Sequence, residues 1–455
     1  TNRLNRGKSI MRSSPPNGFF ADSMMIYGAL EKGGLVSKGF LLHPADRRGA
    51  GIDQLNAFQD RIRSVLALLG PDLLAQFQWG CDGDYRPELT AAFREIEQIA
   101  HPEIRRVRRR YWQRHWTKLM KRALRREELV LFLTVRLTAQ SGSLVRHDTL
   151  RAYYEKILGQ VRVQFDELTE ALRTALGADT TVTPMDDLAH FTYFARFLNP
   201  SFSERFDVDY ATQFNPSLSI QENCWNGDGV GLQKVGFYLD GRYHSVFTLK
   251  RWPDPTTPGL IYRLTGLDFQ DYRITVNVEP LPTKREVDKE EKAIERLRGE
   301  YRDSERHSLL VAIGKKERKI ESLSTGFIRP FSVTYIIRIW DETEHGLAAK
   351  CSAIKNAING MAGAQYYECA RPSTAKKVFF ASWPGWNHSS YRHRCLYAED
   401  TYLADLLPIS ATFTGHLTDA EIILDGAQRN LVGLRTFLGT PPSPQHAMLL
   451  GATGA

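Results

Sequence analysis

Apolar residues recur along the first part of the chain with the spacings of strands and helices. Residues 35–43, 73–80 and 129–137 are rich in apolar side chains and predict three strands. A spacing of three or four residues, typical of one helix face, connects Leu55, Phe58, Ile62, Leu66 and Leu69. Residues 87–127 have a second helical pattern, with a break expected at Pro102. The order β-α-β-α-β predicts a compact mixed module, and further helices are expected over 146–200.

A second array of elements follows with a similar order. Residues 235–239 and 243–249 flank Asp240-Gly241, a two-residue signal for a β-hairpin. Further strands are predicted at 272–278, 331–340 and 365–369. The charged stretch 284–323 predicts one long helix or a helical hairpin, and a clean helix face is formed by Leu347, Cys351, Ile354, Ile358 and Met361. The second array resembles the first in element order, without a repeat of individual residues.

The predicted fold class is α+β, with two mixed β-α-β modules that carry long helices. The expected divisions are an irregular arm over residues 1–34, a first module over 35–230, a second module over 231–382, and a last segment over 383–455. Within the last segment, residues 383–400 are typical of a loop and residues 405–438 predict short strands.

The end of the sequence has the start of a phosphate-binding loop. Residues 447–450 predict a short strand, and the residues Gly451, Ala452, Thr453, Gly454 and Ala455 fit the first five positions of G-x-x-x-x-G-K-[ST]. The Lys and the hydroxyl that bind phosphate and Mg²⁺ would follow Ala455. We therefore expect a piece of a longer protein that does not hydrolyse ATP by itself.

Positive charge is concentrated in one segment. The formal net charge is +8, and eleven of the 60 basic residues lie between Arg105 and Arg126. Without them, 49 basic residues face 52 acidic ones, a balance of −3. The basic character is therefore local.

Three interpretations of this basic segment stay open. It can be a solvated helix whose aromatic residues pack inward. It can contact anionic headgroups or acidic subunits, with Trp112 and Trp116 at the boundary. It can also bind nucleic acid, although no sequence-reading motif supports that option. The candidate contact residues are Arg105, Arg106, Arg108, Arg109, Arg110 and Arg114.

No catalytic centre or metal site is predicted. His388, His393 and Cys395 lack a fourth zinc ligand at suitable spacing. Asp82, Asp84 and Glu88 are better explained by a turn that precedes a helix. The five cysteines are scattered without a C-x-x-C pair, which favours free thiols in a reducing compartment. Neither a membrane-spanning helix nor a signal peptide is predicted.

Several motifs together resemble the type IV secretion ATPases of the TraC- and TrbE-like class. They are Ser382-Trp383-Pro384-Gly385, Arg394 followed by residues 404–410, Gly415 before a strand-rich segment, and residues 445–454 at the entrance of the glycine-rich loop. The order of elements in the first module is also similar, so the resemblance covers most of residues 20–455.

The resemblance implies that this chain is the amino-terminal half of such an ATPase and ends where a RecA-like P-loop domain begins. The parent would bind ATP and Mg²⁺, act as a hexamer at the cytoplasmic face of the inner membrane, and energise conjugation, pilus biogenesis or protein secretion. The partners would be inner-membrane subunits of the secretion channel. The Walker B acid and the arginine finger would lie beyond Ala455.

Two other functions remain open from the sequence. The chain can be the accessory half of a DNA-translocating P-loop motor of the HerA/FtsK-like class, or a scaffold domain without a motor. For the docking function, the arm offers an apolar cluster without clear alternation, which either packs on the core or binds a channel subunit. The cluster consists of Phe19, Phe20, Met24, Met25, Ile26 and Tyr27.

Overall fold

A computed structural model describes residues 17–139, 147–201, 210–225, 230–233, 235–304, 306–386, 394–417 and 420–435. The described residues form an α+β protein, as predicted. The described residues within 1–80 and 128–410 form one compact unit, and those within 81–127 and 411–455 form a second, smaller one. The partial P-loop at 451–455 lies outside the described residues.

The chain contains two arrays of elements in the same order. The first array comprises β1 (Gly18–Ala21), β2 (Met24–Tyr27), β3 (Leu35–Pro44), α1 (Ile52–Ala67), β4 (Leu73–Asp82), α2 (Arg86–Gln98), α3 (Pro102–Met120), β5 (Arg126–Arg136), α4 (His147–Leu176), β6 (Thr180–Pro184) and α5 (Asp187–Leu198). Two short helices follow, α6 (Tyr210–Gln213) and α7 (Ile220–Cys224).

The second array has the same order of strands and helices as the first. It comprises β7 (Gly231–Leu232), β8 (Phe237–Leu239), β9 (Arg242–Arg251), α8 (Tyr262–Thr265), β10 (Tyr272–Pro280), α9 (Thr283–Ser304), α10 (His307–Ser324), β11 (Pro330–Asp341), α11 (Glu344–Asn359), β12 (Gln365–Glu368) and α12 (Pro372–Ala381). The chain then forms β13 (Leu396–Glu399), α13 (Asp400–Leu406), β14 (Ile422–Asp425) and β15 (Leu431–Leu434).

The strand order repeats as well as the element order. In the first array it is β6-β3-β5-β4, and in the second it is β12-β9-β11-β10. β3 pairs antiparallel with β5 and β6, and β9 pairs antiparallel with β11 and β12. Each array is thus a split β-α-β of the ferredoxin-like type. A helical hairpin lies between its second and third strands, α2–α3 in one and α9–α10 in the other.

The two arrays share a single sheet, because β4 of the first is the neighbour of β10 of the second. The first long strand of each array also pairs with a short strand at its start, β3 with β2 and β9 with β8. The resemblance in element order that the sequence indicated is therefore a repeat of topology within a continuous sheet.

The main core lies where α5 and α12 cover one face of this sheet. Phe197 of α5 stacks on Phe379 of α12, with ring centroids 5.6 Å apart and planes 11° from parallel. Trp383, just after α12, is buried and contacts the rings of Phe194 and Phe197. The two corresponding helices of the arrays thus pack against each other through aromatic side chains.

A buried polar network holds the segment that follows α12. The five consecutive carbonyls of residues 381–385 all accept hydrogen bonds from side chains of the sheet. The donors are Asn277 to Ala381 (2.8 Å), Gln78 to Ser382 (2.8 Å), Gln76 to Trp383 (3.1 Å), Tyr27 to Pro384 (2.7 Å), and both Ser37 and Thr134 to Gly385. These six side chains come from five strands and from both arrays.

Gly385 itself is required by this arrangement. Its φ is +67°, and an added Cβ would lie 2.5 Å from Cε of Met25. Its N–H donates to Oε1 of Gln76 at 2.9 Å. A glycine is the residue that fits both the backbone conformation and the close approach. The segment Ser382 to Gly385 is therefore a buried structural element that side chains of the sheet hold in place.

Four local predictions need correction or refinement. Residues 383–400 were predicted as a loop, but Leu396–Glu399 form β13 and α13 begins at Asp400. Residues 18–27 form the β1–β2 hairpin, whereas an irregular arm was predicted. Its strands have four residues each, too short for alternation to be visible, and its turn residues Asp22 and Ser23 have positive φ. β6 was missed because Thr180–Pro184 has a single large apolar side chain. The charged stretch forms the two helices α9 and α10, which is the helical hairpin alternative.

The apolar cluster of the arm packs mainly on the core. Phe20, Met24, Met25 and Tyr27 are buried, whereas Phe19 is about half exposed. For the four buried residues the core-packing alternative is correct, so they form no exposed docking surface.

We expect Asn277→Ala to lower the free energy of unfolding by about 1–3 kcal/mol. The substitution leaves the buried Ala381 carbonyl without its donor and removes the acceptor of a 2.8 Å hydrogen bond from Gln76. Urea unfolding measures the change. The matched control is Asn356→Ala on the exposed face of α11, for which we expect a change within about 0.5 kcal/mol. Equal effects of the two substitutions would contradict the role of the network.

Candidate functional site

The smaller unit contains the basic helix that the sequence singled out. A turn precedes α2, in which Asp82 accepts from the N–H of Asp84 at 3.0 Å and Asp84 accepts from the N–H of Arg86 at 3.2 Å. Glu88 pairs with Arg126 at 3.2 Å. The acids near Cys81 thus form a turn and a helix start, as predicted. No group of metal-ligating side chains occurs among the described residues.

The aromatic residues of α3 pack inward within this unit. Trp112 donates to the carbonyl of Leu89 at 2.7 Å and lies 4.6 Å from the ring of Phe93. Trp116 stacks on Trp112 with centroids 5.0 Å apart. Both indoles are half-buried. They stabilise the α2–α3 pair, which favours inward packing over a membrane-boundary position.

Polar side chains of α3 bind the β14–β15 hairpin. Arg108 donates to the carbonyl of Glu421, and His115 Nε2 lies 3.0 Å from the carbonyl oxygen of Ile423. Asp425 accepts from Lys118 at 2.6 Å. Partial burial raises the pKa of the Asp425 carboxyl, but the hydrogen bond from Lys118 and the nearby positive charges lower it overall. These contacts fix the hairpin beside the helix.

An apolar groove lies between α2, α3 and β14. Its volume is about 640 Å³, and its lining consists of Leu89, Ala92, Ile96, Val107, Arg108, Tyr111, Trp112, His115 and residues 420–424. Val107, Tyr111 and Ile422 are 51%, 59% and 55% exposed. Side chains of this type, exposed together around a concave surface, are typical of a binding site for an apolar partner surface.

A basic row follows one border of this groove. Arg110, Arg114 and Lys118 are spaced by four residues along α3, three positions after Val107 and Tyr111. Within the described part of the chain, Arg110 and Arg114 form no ion pair, whereas Lys118 pairs with Asp425. The border therefore offers positive charge to a partner.

The six predicted arginines do not form a single patch. Arg106 pairs with Glu103 at 2.7 Å. Arg109 binds Glu97 with an Nε–Oε1 distance of 3.0 Å, and this hydrogen bond lowers the pKa of the Glu97 carboxyl. Arg108 contributes to the groove lining. Arg105, like Arg110 and Arg114, has no ion pair among the described residues. The charges surround α3, and only part of them borders the groove.

The remaining candidate residues can be placed only in part. Residues 451–455 of the glycine-rich loop, His388 and His393 lie outside the described residues. Cys395 is half-buried, and its Sγ lies 3.2 Å from the hydroxyl of Thr334. The sequence missed the contribution of β14, whose signal is the short apolar run Ile422-Ile423-Leu424.

No protein-family model matches the sequence, and no curated protein is significantly similar to it. Among the described helices, none is both long and apolar enough to cross a membrane.

We expect Val107→Ser combined with Ile422→Ser to change the free energy of unfolding by less than about 1 kcal/mol, because both side chains are more than half exposed. The same variant should bind less of an apolar fluorescent dye than the unmodified chain. By contrast, Leu89→Ala at the buried base of the groove should cost about 2–5 kcal/mol. Unchanged dye binding by the double variant would show that the groove is not the exposed apolar surface in solution.

Proposed function

We propose that this chain is the amino-terminal, channel-docking portion of a type IV secretion ATPase. The observation that carries the proposal is the open apolar groove bordered by Arg110 and Arg114, which form no ion pair among the described residues. A groove of this kind suits attachment to another protein, and no catalytic group is needed for that role. The assignment to a secretion ATPase rests on the resemblance of residues 382–385, 404–410 and 445–454 to the TraC- and TrbE-like class.

In this proposal the chemistry belongs to a motor that begins at the glycine-rich end. Residues Gly451, Ala452, Thr453, Gly454 and Ala455 would present backbone N–H groups to the phosphates of ATP. The Lys and the Mg²⁺-binding hydroxyl would be supplied by the following residues of a longer, hexameric parent. Inner-membrane channel subunits would hold the protein at the cytoplasmic face of that membrane.

A second candidate function is the accessory half of a DNA-translocating P-loop motor of the HerA/FtsK-like class. Arg105, Arg110 and Arg114 on α3, which form no ion pair among the described residues, favour it, because arginines that reach solvent neutralise phosphates and release counterions. The inward packing of Trp112 and Trp116 gives it less support, because those rings are then not free to stack on bases.

Charge reversal on the groove border separates these functions. We expect Arg110→Glu with Arg114→Glu to weaken capture of the purified channel subunits about tenfold or more in low salt, since attraction becomes repulsion. Lys292→Glu with Arg296→Glu on the exposed face of α9 changes the net charge equally and should leave capture unchanged. Capture that survives the first pair would contradict docking at this groove. Loss of salt-dependent duplex-DNA binding by the same pair would instead support the motor-accessory function.

We expect residues 1–455 to show no ATP turnover above background, because the Lys and the hydroxyl of the phosphate-binding loop are not in the sequence. A chain extended through the next residues should gain activity and lose it when that Lys is replaced by Ala. A phosphate-release assay measures both. Turnover by residues 1–455 that persists after repeated purification would contradict the assignment of the loop.

A further inference from the structure

Two arginines lie side by side in the interior of the larger unit. Arg273 of β10 and Arg338 of β11 are directly opposite each other in the antiparallel pair. Side chains in such positions have their Cβ atoms about 5 Å apart on the same face of the sheet. Arg273 is 6% exposed and Arg338 is 2% exposed. Two like charges are therefore held close together and away from water.

Aromatic rings cover the guanidinium groups. Cζ of Arg338 lies 4.4 Å from the ring centroid of Phe197 and 5.2 Å from that of Phe379. Cζ of Arg273 lies 4.8 Å from the ring centroid of Tyr193. Below Arg273, a Cβ added to Gly80 would lie 3.3 Å from the guanidinium. The rings attract positive charge, yet they supply no hydrogen-bond acceptor in the guanidinium plane.

The hydrogen-bonding capacity of the pair is largely unused. Nη2 of Arg338 donates to the carbonyl of Phe197 at 3.0 Å. Nε and Nη1 of both arginines are buried and have no hydrogen-bond partner among the residues that the structure describes. No carboxylate among the described residues forms an ion pair with either one. Burial, together with the charge of Arg273, lowers the pKa of Arg338 well below its ordinary value.

Such an arrangement is costly unless a negative charge accompanies it. Buried polar groups are normally hydrogen-bonded, and buried charges are normally paired. Arginine is the most basic side chain and releases its proton with difficulty, so loss of a proton is a poor way to relieve the cost. A compact anion can accept hydrogen bonds from both guanidinium groups at once.

We propose that Arg273 and Arg338 form a binding site for one small inorganic anion, in the size range from chloride to phosphate. The enclosure by Tyr193, Phe197 and Phe379 favours a compact ion over a nucleotide or a peptide carboxylate. The strands β10 and β11 lie under α5 of the first array and α12 of the second. The anion would thus stabilise the region where the two arrays meet. This inference is independent of the proposed secretion function.

Thermal unfolding of the full 455-residue chain tests the site. The chain is dialysed into sodium gluconate and then compared in chloride, sulfate and phosphate at equal ionic strength. We expect at least one of the small anions to raise the melting temperature by about 2 °C or more in a saturable way. Arg273→Met and Arg338→Met should both abolish this dependence, while Arg296→Met at an exposed position of α9 should retain it.

The gluconate condition provides a second comparison. Without a small anion, Arg338→Met should be at least as stable as the unmodified chain, because replacing an uncompensated buried charge by an apolar side chain is neutral or favourable. The order of stability should reverse when the anion is added. Anion dependence that persists in both Met variants, or that is absent from the unmodified chain, would overturn the proposal.

Calorimetric titration decides the question even if a Met variant fails to fold. The unmodified chain in gluconate should bind chloride or phosphate with a stoichiometry of one, and Arg273→Lys should bind more weakly because it has fewer donors in a fixed plane. Lack of saturable heat in the unmodified chain for every anion would exclude the site.

Discussion

The larger unit depends on the hydrogen bonds that bind the backbone of residues 381–385 to the face of the sheet. Each of five successive carbonyls is buried and satisfied by a side chain, with donors from β2, β3, β4, β5 and β10. A buried carbonyl without a donor loses its interaction with water and gains nothing in return. Because the donors come from both arrays, this segment holds the two arrays in one register.

This network lies where the repeated topology joins the two arrays. Each array alone has a sheet of the order 4-1-3-2 and a helix that covers it. Joining β4 to β10 makes one sheet of the two and brings α5 and α12 together over it. Polar side chains in the middle of that sheet, such as Gln76, Gln78 and Asn277, then lie under a backbone segment instead of under apolar side chains. The same junction contains Arg273 and Arg338.

The two helical hairpins show how equivalent positions acquire different surfaces. In the second array, α9 and α10 pair through charged side chains, as Glu290 does with Lys316 and Lys319. In the first array, α2 and α3 pair through aromatic rings and leave apolar side chains exposed on one side of α3. The hairpin β14–β15 completes a groove there. The helical hairpins at equivalent positions of the two arrays therefore share a backbone fold, whereas their side chains give them different surfaces.

The sequence by itself determined most of the long strands and helices and their order, whereas it missed the β1–β2 hairpin and β6. Apolar-rich segments predicted β3, β4 and β5, and further strands were predicted at β10 and β11. A spacing of three to four residues predicted the buried face of α11. Such patterns depend only on neighbours along the chain. The turn at Asp240-Gly241 was equally local, and both residues have the positive φ that the signal requires. The basic character of α3 was visible for the same reason.

Only the tertiary structure decided which elements meet. Three features combine residues that are between about 60 and 360 positions apart in sequence. They are the hydrogen-bonded segment 381–385, the arginine pair and the groove. Local patterns carry no information on such pairings, which depend on how strands of the two arrays align in a common sheet. The local sequence around a glutamine or an arginine in a strand is the same whether its side chain faces water or a buried carbonyl. For that reason, the partners of these side chains could be identified only from the strand pairing in the tertiary structure.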